Sequence, residues 1–199
     1  MKKQMIVIAA LAACGLGAVQ AQESPWMVRV RATHLDMANK DGTTVDDLNV
    51  NNKTIPEVDV SYFFNKNVAA ELVLTVPQKQ TVYSGTTSLG TFKHLPPTLL
   101  LQYHFTDLGA YKPYVGAGIN YTKISSVNLA SGNTPVTLDS HSWGGALQLG
   151  VDIPLDKHWS LNFDVKKIYI KTDVYAGGAN TGTLKLDPIA ASVGVGYRF

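Results

Sequence analysis

From Trp26 to Phe199 the chain alternates apolar and polar positions with a period of two, and no stretch sustains the spacing of an amphipathic helix. Eight stretches carry the alternation. Trp26–Leu35 sets Trp26, Val28, Val30 and Ala32 against Arg29, Arg31 and Thr33. Ile55–Phe64 opposes Val58, Val60, Tyr62 and Phe64 to Glu57, Asp59 and Ser61. Val68–Val76 opposes Ala70, Leu72 and Leu74 to Glu71, Val73 and Thr75. His94–Phe105 has Leu99, Leu101, Tyr103 and Phe105 against Leu100, Gln102 and His104. Pro113–Ile124 and Trp143–Ile153 set Val115, Ile119, Leu147 and Val151 against Gly116, Asn120, Gln148 and Asp152. Trp159–Thr172 opposes Leu161, Phe163 and Val165 to Asn162, Asp164 and Lys166. Leu184–Phe199 ends the chain with Ala191, Val193, Val195, Tyr197 and Phe199 against Ser192, Gly194, Gly196 and Arg198.

Connection lengths alternate as well. Asn65–Asn67, Thr106–Lys112 and Pro154–His158 are short, whereas Asp36–Thr54, Pro77–Lys93, Ser125–Ser142 and Asp173–Thr183 are long and polar. Tight turns at one end and long loops at the other predict an all-β, eight-stranded, antiparallel up-and-down barrel, since eight strands can close on themselves and remove the edges.

Alternation alone leaves open which face is outside. A soluble carrier barrel of the lipocalin type would turn its apolar face inward; a transmembrane β-barrel turns it toward lipid. Three features favour lipid. The polar face carries both signs in near-equal number, so its charges can pair across a narrow lumen. Trp26, Tyr62, Phe64, Tyr103, Phe105, Trp159, Tyr197 and Phe199 gather near the short turns, with Tyr121 and Trp143 near the long loops, as in two interfacial girdles. The chain also ends on an alternating strand whose last residue is Phe199, resembling the C-terminal signal of outer-membrane barrels. Strand seven is the exception. After Lys166 its alternation is read as changing phase, which sets Lys167, Tyr169 and Lys171 on the face of Phe163; Lys167 then either snorkels to the headgroups or is re-aimed by a bulge.

Composition narrows the classes. Lys2 and Lys3, the apolar run 5–13 and the small residues Val19 and Ala21 form an export signal, 1–21, cut before Gln22, leaving 22–199 as the barrel domain. Its removal takes two lysines and no acid, so the two signs become equal. Leu11-Ala12-Ala13-Cys14 also resembles a lipobox, which leaves lipidation of Cys14 as a second route. The one Cys excludes a disulfide framework. A net charge of +2 argues against nucleic acid as a partner. No metal spacing, phosphate loop or cofactor motif is present.

Several segments together are more specific: VAAELVLTVP (68–77), KHLPPTLLLQYHF (93–105), KPYVGAGINYT (112–122), SWGGALQLGVDI (142–153), LKLDP (184–188) and GVGYRF (194–199). In these the chain resembles the OmpW family of small outer-membrane barrels. The resemblance implies an integral protein of the bacterial outer membrane with periplasmic termini, and a narrow passage for small, mainly hydrophobic solutes rather than an enzyme. One departure stands out. The family's upper lumen is expected to be apolar, whereas Lys166 points inward here beside Asp164.

The candidate lumen lining is Arg29, Arg31, Glu57, Asp59, Phe63, Glu71, Val73, Leu100, Gln102, Asp152, Asp164, Lys166 and Arg198. Phe63, Val73 and Leu100 are apolar yet inward, as either a constriction or ordinary packing. Gly116, Gly118, Gly144, Gly150, Gly194 and Gly196 share the inward face, either to fit a filled barrel or to shape a conduit. Pro96 and Pro97 lack the N–H needed for a ladder, which marks either a strand start above the membrane or a lateral gap in the wall. His34, His94 and His141 fall near Ser84, Ser88, Ser140, Asp36 and Asp139 at the long-loop end, without a catalytic spacing. The expected function is passive passage of small, largely apolar molecules, with lateral release near Pro96–Pro97. The expected partners are outer-membrane lipids, those solutes, and the barrel assembly machinery acting on the strand ending in Phe199. The alternative is a non-conducting structural or surface-interaction barrel presenting loops 36–54 and 125–142.

Overall fold

The structure is a computed structural model describing residues 24–44 and 47–199. The expected leader, Cys14 included, lies outside the described residues. Every regular element described is a strand, and the strands join end to end into eight staves. β1 (Trp26–Asp36) and β2 (Lys40–Thr43) form the first, β3 (Leu48–Val50) and β4 (Lys53–Phe63) the second. β5 (Val68–Thr75) and β6 (Gln78–Ser84) form the third, β7 (Thr87–Leu95) and β8 (Thr98–His104) the fourth. β9 (Lys112–Ser131) is the fifth alone. β10 (Thr134–Leu138) and β11 (His141–Pro154) form the sixth, β12 (Trp159–Ile168) and β13 (Lys171–Ala176) the seventh, β14 (Ala179–Lys185) and β15 (Ile189–Arg198) the eighth. Neighbouring staves pair antiparallel. The last returns to the first from Met27↔Arg198 to Asp36↔Ile189, closing the barrel. The seam ends with Ser24 N donating to Phe199 O at 2.9 Å and Phe199 N to Trp26 O at 3.2 Å. Closure matters because an open edge in hydrocarbon would leave N–H and C=O groups without partners.

Register then sorts the side chains. Val28↔Val60 and Val30↔Val58 point outward, while Arg29↔Asp59 and Arg31↔Glu57 point inward. Outward Leu101 is 59 % exposed and Leu149 62 %, whereas inward Arg29, Glu71 and Lys166 are at 0 %. A protein folding in water would not expose its leucines and bury its charges, so the soluble carrier reading falls. Outward rings meet edge to face at the short-turn end: Trp26–Tyr62 at 4.9 Å, Tyr62–Phe64 at 5.3 Å, Trp159–Tyr197 at 4.9 Å and Tyr197–Phe199 at 5.1 Å. Tyr121 and Trp143, 4.8 Å apart, mark the other girdle.

Three expectations change. The long connections are largely strands rather than loops. Residues inside 36–54, 77–93, 125–142 and 173–183 extend the staves beyond the Tyr121–Trp143 girdle; the last three turn back as hairpins at Gly85, Gly132 and Gly177, each with φ near +60°, whereas β2 pairs with β14 and β3 with β6. Strands four and eight are each broken in two, at Pro96–Pro97 and around Asp187–Pro188. Strand seven keeps its phase: Leu161 through Lys171 alternate outward without a bulge, and Lys171 is set apart only by the short gap before β13. Lys167 therefore snorkels, its Nζ donating to the Asp187 carbonyl.

Candidate functional site

The inward face of the short-turn half is a single charge network. Arg29 on β1 donates to Asp152 through Nη2 at 2.7 Å and Nε at 3.1 Å, and through Nη1 to Ser61 Oγ at 2.9 Å. Its Nη1 also lies 3.3 Å from Asp59 and 3.4 Å from Glu71. Alternation puts Arg31 on the same face, where it pairs with Glu57 at 3.1 Å, Asp59 at 3.1 Å and Glu71 at 3.0 Å. Lys166 meets Glu57 at 2.8 Å and Asp164 at 2.6 Å. Neutral groups knit the rest. Tyr114 donates its hydroxyl to Asp164 at 2.8 Å and accepts from Asn162 at 3.0 Å. Gln148 donates to Glu71 and Asp164, both at 2.7 Å, and accepts from Gln102 at 2.9 Å. The side chains of Arg29, Arg31, Asp59, Glu71, Asp164 and Lys166 have no exposed area. Unpaired, each buried ion would cost several kcal/mol. Here each is tied to other staves, so the network plugs the barrel.

The inward glycines serve this filling. A Cβ at Gly150 would lie 2.4 Å from the Tyr114 ring, and one at Gly194 would lie 2.1 Å from the Val30 carbonyl. At Gly150 and Gly116 the space is taken by the Tyr114 and Gln148 side chains, whereas at Gly118, Gly144 and Gly194 it is the neighbouring strand's backbone that comes close.

Toward the hairpin end the lining turns apolar. Val73 and Leu100 join Leu35, Ile55, Phe92, Ile124, Ile168, Ile170, Leu184 and Leu186 in one buried cluster. Lys166 belongs to the plug beneath it, so the expected break in the apolar lumen is absent. Phe63 is not with them. It packs with Met27 and Ala69 at the short-turn end, under the Arg198 guanidinium at 4.3 Å and beside His104 at 4.9 Å. Arg198 donates Nε to the Ser24 carbonyl and lines this mouth rather than the plug. The three-residue constriction is thus two separate layers.

Buried polar side chains are interleaved with the apolar cluster, among them Thr98, Asn120, Thr122 and Thr172, and two of them, Gln80 and His94, are short of partners. Gln80 Nε2 lies 3.3 Å from His94 Nε2, and Gln80 Oε1 and His94 Nδ1 have no protein partner. His94 lies beyond the Tyr121–Trp143 girdle; burial, and secondarily nearby Lys53, lower its pKa to about 4.

The wall is interrupted here. The β5–β8 ladder ends at Val73↔Thr98, and the β6–β7 ladder starts only at Gln78↔His94. The Pro96–Pro97 segment is closed on its other side, where Tyr121 N and Asn120 Nδ2 each donate to the Pro97 carbonyl at 3.1 Å. Gln78 Nε2 satisfies the Val76 carbonyl at 2.7 Å. The interruption therefore lies between residues 74–77 and 95–97. Histidines do not converge: His94 is inward, whereas His34 bonds Thr54 and His141 bonds Ser140 on the exposed face.

An apolar coat, a charged lining and aromatic girdles on a closed antiparallel cylinder define an outer-membrane β-barrel. Comparison with known proteins gives the lineage. Residues 16–199 match the OmpW family, and the chain belongs to it. It is 44 % identical over 190 residues to an uncharacterized outer-membrane protein, y4mB, of Sinorhizobium fredii, covering 91 % of this chain and 82 % of that one. It is 30 % identical over 199 residues to the dibenzothiophene metabolism operon protein PahQ of Pseudomonas aeruginosa, covering 90 % of each. The crystal structure of the outer membrane protein OprG from Pseudomonas aeruginosa superposes with a TM-score of 0.74 at 27 % identity, over 92 % of this chain and 99 % of that one.

Tyr114 and Asn162, both central to the plug, were not among the sequence candidates. Their parity was the available signal, since each lies on the same alternating face as Gly116 or Asp164.

Proposed function

We propose that this barrel passes small, largely apolar molecules across the outer membrane without catalysis. They enter the hairpin end, occupy the apolar lining and leave sideways into the bilayer between residues 74–77 and 95–97. The carrying observation is the stacking of an apolar layer on a closed ionic plug, beside the one stretch where both ladders of the third and fourth staves stop. The plug makes an axial exit costly, because a solute would have to break several buried ion pairs. Relation to a protein of a dibenzothiophene metabolism operon is consistent with an aromatic, hydrophobic cargo. In this reading the hairpins face outside and the short turns and termini face the periplasm. The outward row Ala191, Val193, Val195, Tyr197 and Phe199 of the last stave is what the assembly machinery recognises.

The test staples the wall. Val76→Cys with Leu95→Cys places two thiols across the interruption. In cells, uptake of a neutral polycyclic aromatic probe is expected to fall to the empty-vector level when the pair is oxidised and to recover on reduction. Unchanged uptake under the staple would exclude lateral release. Uptake by the unmodified barrel no faster than vector would favour a non-conducting surface barrel instead, a reading to which the closed plug also lends itself.

A further inference from the structure

The cations outside the plug are sorted by height. No Lys or Arg occurs in 41–52, 80–92, 124–141 or 172–184, the distal parts of the four long connections. Lys40, Lys79, Lys93, Lys123, Lys171 and Lys185 instead stand just beyond the Tyr121–Trp143 girdle, exposed and outward. Register gathers them into two patches. Lys79 pairs directly with Lys93 across β6–β7, and Lys123 on β9 follows one step diagonally, opposite Leu95. On the far side Lys171, Lys185 and Lys40 are in line across β13, β14 and β2. Like charges directly opposite on a sheet repel. None of the six makes an ion pair among the described residues. Acids near the second patch are already engaged: Asp173 by Thr183, Asp187 by the Ile170 N–H. In the stretch that carries the first patch, between Glu71 and Asp139, the chain's only acid is Asp107, next to the short-turn end; Asp139 itself lies two residues from His141, which pairs with Lys123.

We propose that these patches, above all Lys79–Lys93–Lys123, hold the phosphates of phosphorylated glycolipids in the outer leaflet. The argument is charge complementarity at a fixed height. Directly below the lysines lie exposed Leu74, Val76, Leu99 and Ile119, which suit acyl chains. A lipid phosphate is the anion that arrives with such chains attached. Bound phosphate relieves the Lys79–Lys93 repulsion, which explains why register tolerates it. The hairpin-out orientation is taken from the proposed function; the transport step is not needed.

The experiment compares thermal unfolding of the whole barrel in phosphatidylcholine vesicles, alone, with bisphosphorylated lipid A, and with enzymatically dephosphorylated lipid A. Wild type is expected to gain several degrees only with the phosphorylated lipid, and free inorganic phosphate is expected not to reproduce the gain. Lys79→Gln/Lys93→Gln/Lys123→Gln is expected to bind it roughly a hundredfold more weakly, at about fivefold per lysine near an anionic surface. The same variant in pure phosphatidylcholine is expected to unfold no earlier than wild type, which separates lost lipid binding from lost folding. An equal gain with dephosphorylated lipid, an equal gain in the variant, or full reproduction by inorganic phosphate would each overturn the proposal. Failure here leaves the uptake result unaffected, and the reverse holds too.

Discussion

Arg31 shows how a single side chain organises this interior. It reaches four carboxyl groups on three other staves, Asp164 at 3.9 Å being the farthest, and all of them are buried. Substituting Arg31→Met would leave Glu57, Asp59 and Glu71 without their shared partner. Removing one member of a buried ionic set costs about 3–5 kcal/mol, so the urea midpoint of the folded barrel in vesicles should fall sharply. An unchanged midpoint would mean that water or rearranged partners compensate. The opposite sign is expected at Gln80 and His94. Each has a buried polar atom with no protein partner, so Gln80→Leu with His94→Leu, replacing both, should leave stability unchanged or raise it. A loss exceeding that of an ordinary surface substitution would show that the pair is satisfied in the membrane by something the protein itself does not supply.

At the level of elements, the half of each stave within the bilayer was legible and the half beyond it was not. Inside hydrocarbon the outward residues must be apolar, so alternation is stark, as in Leu99, Leu101 and Tyr103. Beyond the girdle the outward residues meet water and headgroups, and Thr, Ser, Asn and Lys fill them. There the only sign of a strand is a sparse inward series such as Leu48 and Val50, or Val82 and Phe92, punctuated by Gly turns. The same contrast hid the buried apolar cluster, because it is built from those sparse positions. The lining charges were easy to list, yet their grouping into one plug depends on stagger between staves, which one sequence does not carry. The β6–β7 hairpin also makes a pH prediction. His94 has a folded pKa of about 4, below the 6.5 of a free imidazole, because burial disfavours its charged form. The unfolded hairpin therefore takes up a proton first as pH falls. Its stability should be complete above about 6.5 and decline toward 4 at about 1.4 kcal/mol per pH unit. Hydrogen exchange of the β6 and β7 amides checks this, and His94→Leu should flatten the profile.

For the whole molecule, the decisive property is that one cylinder contains two solvents in series. The hairpin end offers hydrocarbon-like side chains, and the short-turn end offers a closed set of ion pairs. These select differently. A hydrated ion must give up its water to cross the apolar layer, and neither layer replaces that hydration. On the proposed function a neutral aromatic solute would lose nothing in the first layer and be turned aside by the second. The barrel should therefore conduct potassium chloride poorly in a planar bilayer, far below a water-filled porin, while still accelerating uptake of the neutral probe in cells. Arg31→Met together with Lys166→Met should raise ionic conductance if the plug alone blocks the axis, and leave it low if the apolar layer suffices. Because the buried apolar cluster is built from residues other than the ion-paired ones and stays in place in this variant, the second result is expected. A wild-type conductance comparable to an open porin would contradict the two-solvent arrangement itself, since ions would then cross both the apolar cluster and the buried ion pairs freely.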